Sequence, residues 1–148
     1  MPTVPRDATS CVLLAIPHVG LNEGVRSLLA TVFASVVMVA DEASMCGCAE
    51  SMQPDLAVVD LAVGAGSGTR LIARLHAQNP ATKILVIGAD DPVVARAALG
   101  AGADRYLQVS ALGSELLPAV ERLLAGRSGA GAGEGPGAGR PAGEGVPP

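Results

Sequence analysis

The sequence predicts a doubly wound α/β fold, with one five-stranded parallel sheet between layers of helix. Three observations carry that prediction. Short apolar runs of strand length alternate with segments of helical periodicity, five of each, which is the βα alternation of a parallel sheet. The runs are apolar on both faces, as strands covered by helices on each side require. Apolar residues make up 49% of the 148 residues but aromatic residues only 1%, so the core consists of Val, Leu, Ile and Ala, side chains small enough for close helix-on-sheet contact.

The elements follow in order. Cys11-Val12-Leu13-Leu14-Ala15-Ile16 is a buried strand stopped by Pro17. Leu21, Val25, Leu28, Leu29 and Val32 recur at helical spacing, so Gly20 to about Phe33 is an amphipathic helix. Ser35 to Val39 is β-branched and forms a second strand. Asp41 is an N-cap for a helix from Ala43 to Gln53, weakened by Gly47. Pro54-Asp55 is a turn signal, and the run behind it, from Asp55 to Asp60, is the third and central strand. A Gly-rich loop through Gly68 separates it from a helix over Thr69 to Gln78, with Leu71, Ile72 and Leu75 inward and Pro80 as its stop. Lys83 to Ile87 is the fourth strand. Pro92 suits the first position of a short helix ending at Leu99, closed by Gly100 and Gly102. Arg105 to Val109 is a weaker fifth strand. Leu116, Leu117, Val120, Leu123 and Leu124 mark a last helix ending at Gly126, with Pro118 expected near its first turn, where a missing N–H costs least.

Right-handed crossovers between these strands lead to the flavodoxin-like order 2-1-3-4-5. Strands one and three are then neighbours, and their carboxyl ends form a crevice. A buried carboxylate is costly unless it is paired or hydrogen-bonded, so Asp60 belongs where its strand emerges, at that edge. Ile16, Pro17 and His18 reach the same crevice from the first loop, and Gly88 to Asp91 from the fourth.

The length fits one domain, taken as 10–126, between a flexible N-terminus (1–9) and a tail (127–148) of Gly, Ala, Pro and Glu. That tail cannot bury enough surface to offset its ordering entropy and is expected to be disordered. The net charge of -4 and pI of about 5.0 argue against direct DNA binding. No apolar run reaches the length of a membrane span. Met1 to Ser10 lacks the apolar core of a signal peptide, so a cytoplasmic protein is expected. Cys11 opens a strand as a small hydrophobe. Cys46 and Cys48 lie two apart on a helix and point to different faces, so they do not chelate one metal. The chain offers no nucleophile–base pair and no phosphate-binding Gly loop opening a helix, so a metabolic enzyme is not expected.

Four stretches resemble the receiver domain of two-component response regulators, the CheY-like family, over about Cys11 to Gly126. Pro54-Asp55-Leu56-Ala57-Val58-Val59-Asp60-Leu61 resembles the phosphoacceptor strand, and Gly64-Ala65-Gly66-Ser67-Gly68 the Pro-Gly-x-Ser-Gly loop behind it, with Pro replaced. Ala97-Ala98-Leu99-Gly100-Ala101-Gly102-Ala103-Asp104-Arg105-Tyr106-Leu107 resembles the passage Ala-Leu-x-Ala-Gly-Ala-Asp-Gly-Tyr-Leu. Asn22-Glu23-Gly24-Val25-Arg26-Ser27-Leu28-Leu29 resembles the first helix, Arg-Glu-Gly-Leu-Arg-x-Leu-Leu. The flavour is that of regulators with a helix-turn-helix output domain, which is not found in this sequence.

The resemblance implies a phosphoacceptor at Asp60 and an aromatic switch position at Tyr106. It also marks departures. The family's acid pair, which with the acceptor holds Mg²⁺, falls on Ile16 and Pro17; its Ser/Thr falls on Gly88; its Lys falls on Val109. Mg²⁺ wants several oxygens, so its binding is expected to be weak or absent, and no metal or other cofactor is expected. Each lost charge-assisted contact is worth about 1.5–3 kcal/mol, so phosphorylation by acetyl phosphate or a histidine kinase is expected to be slow or absent. The first expectation is therefore an atypical receiver in phosphorelay signalling. It would act as a protein-interaction module, docking a kinase or regulator or forming a homodimer through the last two helices and strand five. The alternatives are a weakly phosphorylatable single-domain regulator and a small-molecule sensor using an apolar crevice. At residue level, Asp60 is either an acceptor or a strand-end acid bonded to loop amides. His18 either bonds Asp60 or a ligand, or is an exposed loop residue. His76 is a solvated face residue. Asp90 and Asp91 either replace metal oxygens or cap a helix. Tyr106 is either a switch or a half-buried ring at the sheet edge.

Overall fold

The computed structural model describes residues 10–61 and 68–132. The Gly-rich stretch 62–67, residues 1–9 and residues 133–148 lie outside them, and so do the expectations made for those segments. Five strands, β1 (Cys11–Ala15), β2 (Ser35–Met38), β3 (Leu56–Asp60), β4 (Lys83–Gly88) and β5 (Arg105–Gln108), form one sheet in the order β2-β1-β3-β4-β5. All four pairings are parallel. The helices are α1 (Val19–Leu29), α2 (Glu42–Met52), α3 (Gly68–Gln78), α4 (Pro92–Ala101) and α5 (Leu112–Ala132).

Strand alternation sorts the core. Leu13, Ala15, Ala57, Val59, Ile84 and Val86 face one side of the sheet, where they cluster with Met45, Cys46 and Ala49 of α2, Leu71, Ile72 and Leu75 of α3, and Ala98 of α4. Val12, Leu14, Leu56, Val58, Leu85 and Ile87 alternate with them and are fully buried on the other side. Val25 and Leu29 of α1 are buried as well. The central strands are thus apolar on both faces because both faces are covered, and Asp60 is the first half-buried position of β3.

The chain divides into two compact units, Met1–Leu117 and Pro118–Pro148. The first holds the sheet, α1 to α4 and the start of α5; the described part of the second is the remainder of α5.

Several boundaries differ from expectation. Helix α1 stops at Leu29, and its C-cap amide at Ala30 donates back to Arg26 and Leu28. Helix α4 runs through Gly100 and caps at Gly102. Val109 is not in β5: it opens a short 3-10 turn, Val109–Ala111, and α5 begins directly behind it at Leu112. That early start places Pro118 inside the helix rather than in its first turn. The helix also continues past Gly126 to Ala132, into the segment expected to be disordered.

Candidate functional site

The carboxyl edge of the sheet gathers the residues singled out above. Ala15 pairs with Val59, so Ile16 and Asp60 stand side by side one step further on. Asp60 pairs in turn with Ile87, and the Leu61 amide donates to the Ile87 carbonyl at 3.2 Å. Gly88, the next residue of β4, pairs with Gln108, one residue before Val109. Ile16, Asp60, Gly88 and Val109 therefore share one edge. Ile16 is buried at 3% exposure, whereas Val109 is 43% exposed.

The first loop is built to start α1. His18 is its N-cap: the Nδ1 atom accepts from the Leu21 amide at 3.0 Å. Asn22 Nδ2 donates to the Ile16 carbonyl at 2.9 Å, tying the end of β1 to the first turn. His18 is exposed, as the loop reading expected, and its role as a cap was not anticipated. The only signal available was the three-residue step from His18 to Leu21, and an imidazole is a rare acceptor at that position.

The fourth loop resolves the two acids differently. Asp91 caps α4, with its Oδ1 accepting from Val93 N at 2.9 Å and Val94 N at 3.4 Å. Asp90 is exposed. Tyr106 comes from β5 to meet this loop: its hydroxyl donates to the Ala89 carbonyl at 2.7 Å, and the ring is half-buried. Burial raises its pKa, and the nearby carboxylates of Asp91, Asp60 and Asp90 raise it further, since each disfavours a phenolate. Tyr106 is thus the residue that brings the β3 acid and the fourth-loop acids into one electrostatic neighbourhood. Even so, no three His, Cys, Asp or Glu side chains among the described residues are grouped to hold a metal.

Outside this edge, the remaining candidates have structural surroundings. The thiols of Cys11, Cys46 and Cys48 are free. Cys46 is buried and Cys48 half-buried on α2, as their spacing on different faces requires. His76 is exposed, but its Cβ and Cγ back onto Gly102.

Next to the edge lies an open groove of about 650 Å³. Pro92, Ala95 and Leu99 of α4 line it, with Tyr106 of β5 and Ala111. Leu99 is 47% exposed. The charged lining consists of Asp90, Asp91, Asp104 and Glu115 against Arg105. Among the described residues no helix is long and apolar enough to cross a membrane.

The fold has many known counterparts. A LuxR-family two-component response regulator from Aurantimonas sp. SI85-9A1 superposes with a TM-score of 0.71 at 27% identity, covering 80% of this chain and 86% of that one. The receiver domain of a putative NarL response regulator from Mycobacterium tuberculosis gives 0.70 at 23% identity, covering 79% and 97%. A CheY-like receiver domain protein from Methanospirillum hungatei JF-1 gives 0.73 at 19% identity, covering 80% and 96%. No curated protein sequence matches the chain. The family model described as response regulator receiver domain matches residues 12–121. With the 2-1-3-4-5 sheet and Asp60 at the carboxyl end of its central strand, the match leads to one conclusion: this chain belongs to the response regulator receiver domain family.

Proposed function

We propose that this receiver works in two-component signalling chiefly as a protein-docking module, with the acceptor position kept at Asp60 and its phosphotransfer machinery lost. One observation carries the reading: the four positions where the family keeps its acid pair, its Ser/Thr and its Lys hold no charged or hydroxyl side chain. Ile16 is buried hydrocarbon, Pro17 offers no N–H, Gly88 has no side chain, and Val109 is an exposed aliphatic. Such a donor set does not fit Mg²⁺, which wants near-octahedral oxygen. It also supplies no cation to the oxygens of an arriving phosphoryl group. Of the two fourth-loop acids offered as replacement oxygens, Asp91 is engaged in capping α4 and Asp90 is exposed.

The docking surface is the groove between α4, β5 and the first turn of α5. Its lining has four carboxylates and one guanidinium, so the segment that enters it carries positive charge and an apolar anchor for Leu99 and Ala95. Charge favours a basic protein partner, a histidine kinase or another regulator, over a second copy, which would present the same acids to the same face.

Phosphate-affinity gel electrophoresis after incubation with acetyl phosphate and Mg²⁺ tests the reading, with Asp60→Asn as control. The expected result is one unshifted band for both proteins. A shifted band in the wild type that disappears in Asp60→Asn would overturn it in favour of a working phosphoacceptor. Size-exclusion chromatography with light scattering tests the choice of partner: a monomer is expected, and a stable dimer that Leu99→Asp dissociates would replace the basic partner by a second copy.

A further inference from the structure

Gly88 ends β4 and is buried. A Cβ placed on it would lie 2.9 Å from Tyr106 Cζ and 3.1 Å from Cε2, with the phenol oxygen closer still. The ring therefore fills the volume that any side chain at position 88 would need. Its hydroxyl is held there by a backbone acceptor, the Ala89 carbonyl at 2.7 Å. Tyr106 also lines the groove described above, so the placement of this ring sets the shape of the groove.

We infer that Gly88 is a positioning residue that keeps Tyr106 folded against the β4–α4 junction, giving the docking groove one shape whatever the chemical state of Asp60. Both restraints on the ring, the space above a glycine and a main-chain carbonyl, are made without the Asp60 side chain. Position 88 has no positive φ, unlike Gly102, so its backbone accepts any L-residue. The glycine is thus required by the ring and not by the chain path. A side chain at 88 meets the far end of a flexible residue, and the ring gives way by rotating to another staggered position. The inference rests on the docking reading for its consequence, while its own test reads only the tyrosine.

The chain has one Tyr and no Trp, so ultraviolet titration and tyrosine fluorescence report Tyr106 alone. In the wild type the phenol titrates above its ordinary value, and acrylamide quenches it poorly. In Gly88→Ala, with the fold verified by far-UV circular dichroism, the titration midpoint shifts down toward that of free tyrosine and quenching increases. In Asp60→Asn, quenching stays at the wild-type level. Unchanged quenching and titration in folded Gly88→Ala would overturn the inference, as would exposure of the ring in Asp60→Asn alone. If Gly88→Ala loses the fold, recovery in Gly88→Ala/Tyr106→Ala supports the collision, and continued unfolding overturns it. The docking reading is tested separately, by gel shift and light scattering, so its failure and the failure of the ring placement are distinguishable.

Discussion

Asp104 joins β5 to β4 through both ends of its residue. Its Oδ2 accepts from the Ile84 amide at 2.8 Å, and its own amide donates to the Ile84 carbonyl at 2.8 Å. Asp104→Ala leaves the Ile84 N–H without an acceptor and should cost about 1–3 kcal/mol in urea unfolding. Asp104→Asn keeps an acceptor oxygen and should recover most of that loss. The titrating groups make the alkaline limb of stability predictable too. Burial raises the Cys11 and Cys46 thiols above their ordinary 9.0, and Tyr106 is raised above 10.0. In each case the protonated form is favoured in the folded state. The stabilising contribution is complete below the unfolded value and is lost as pH rises through the folded one. Urea midpoints should therefore fall above about pH 9, and less steeply in Tyr106→Phe. On the acid side Asp41 has the opposite sign: the Ser44 amide, joined by the Ser44 hydroxyl, lowers its pKa, so its contribution holds above 3.8 and disappears as pH falls. At this scale, Asp60 was legible because an acid ending an apolar run has few places to go. The Tyr106–Ala89 bond was not, because it joins residues on different elements.

Among the elements, the passage from α4 to β5 depends most on one residue. Gly102 has φ of 124°, a conformation that L-residues rarely adopt, and its missing Cβ makes room for His76 of α3, whose Cβ and Cγ would lie 2.8 Å away. Gly102→Ala should cost about 1–3 kcal/mol from backbone strain, plus the clash. His76→Ala in the same background removes the Cγ contact but keeps the Cβ one, so it should relieve only part of the clash and leave the strain, a difference that a double-mutant cycle measures. Helix α4 also depends on its cap: Asp91→Ala leaves the Val93 and Val94 amides without that acceptor and should cost about 1 kcal/mol. The sequence announced these features unevenly. Asp41 and Asp91 as caps and Pro92 at a first position were readable because capping is local. The start of α5 was not: Leu112 and Leu116 are buried, but Gly113 and Ser114 between them hide the helical period, and the expected helix began too late to place Pro118 correctly.

For the whole molecule, the sheet is the cooperative core of its unit. Leu56 and Leu85 are fully buried in neighbouring central strands, so Leu56→Ala or Leu85→Ala should lose about 2–5 kcal/mol in a single urea transition. Millimolar Mg²⁺ and EDTA should leave the melting temperature of the wild type equal, since a ligand stabilises a fold only by binding it. A rise with Mg²⁺ that Asp60→Asn removes would show a working metal site instead. The sequence by itself determined the strand count, the parallel α/β class, the strand order and the position of Asp60, because these follow from run length, periodicity and crossover handedness. Only the tertiary structure decided what surrounds that acid. Tyr106 of β5 occupies the space above Gly88 of β4 and donates to Ala89, because those partners are distant in sequence and are chosen by which strands the fold sets side by side.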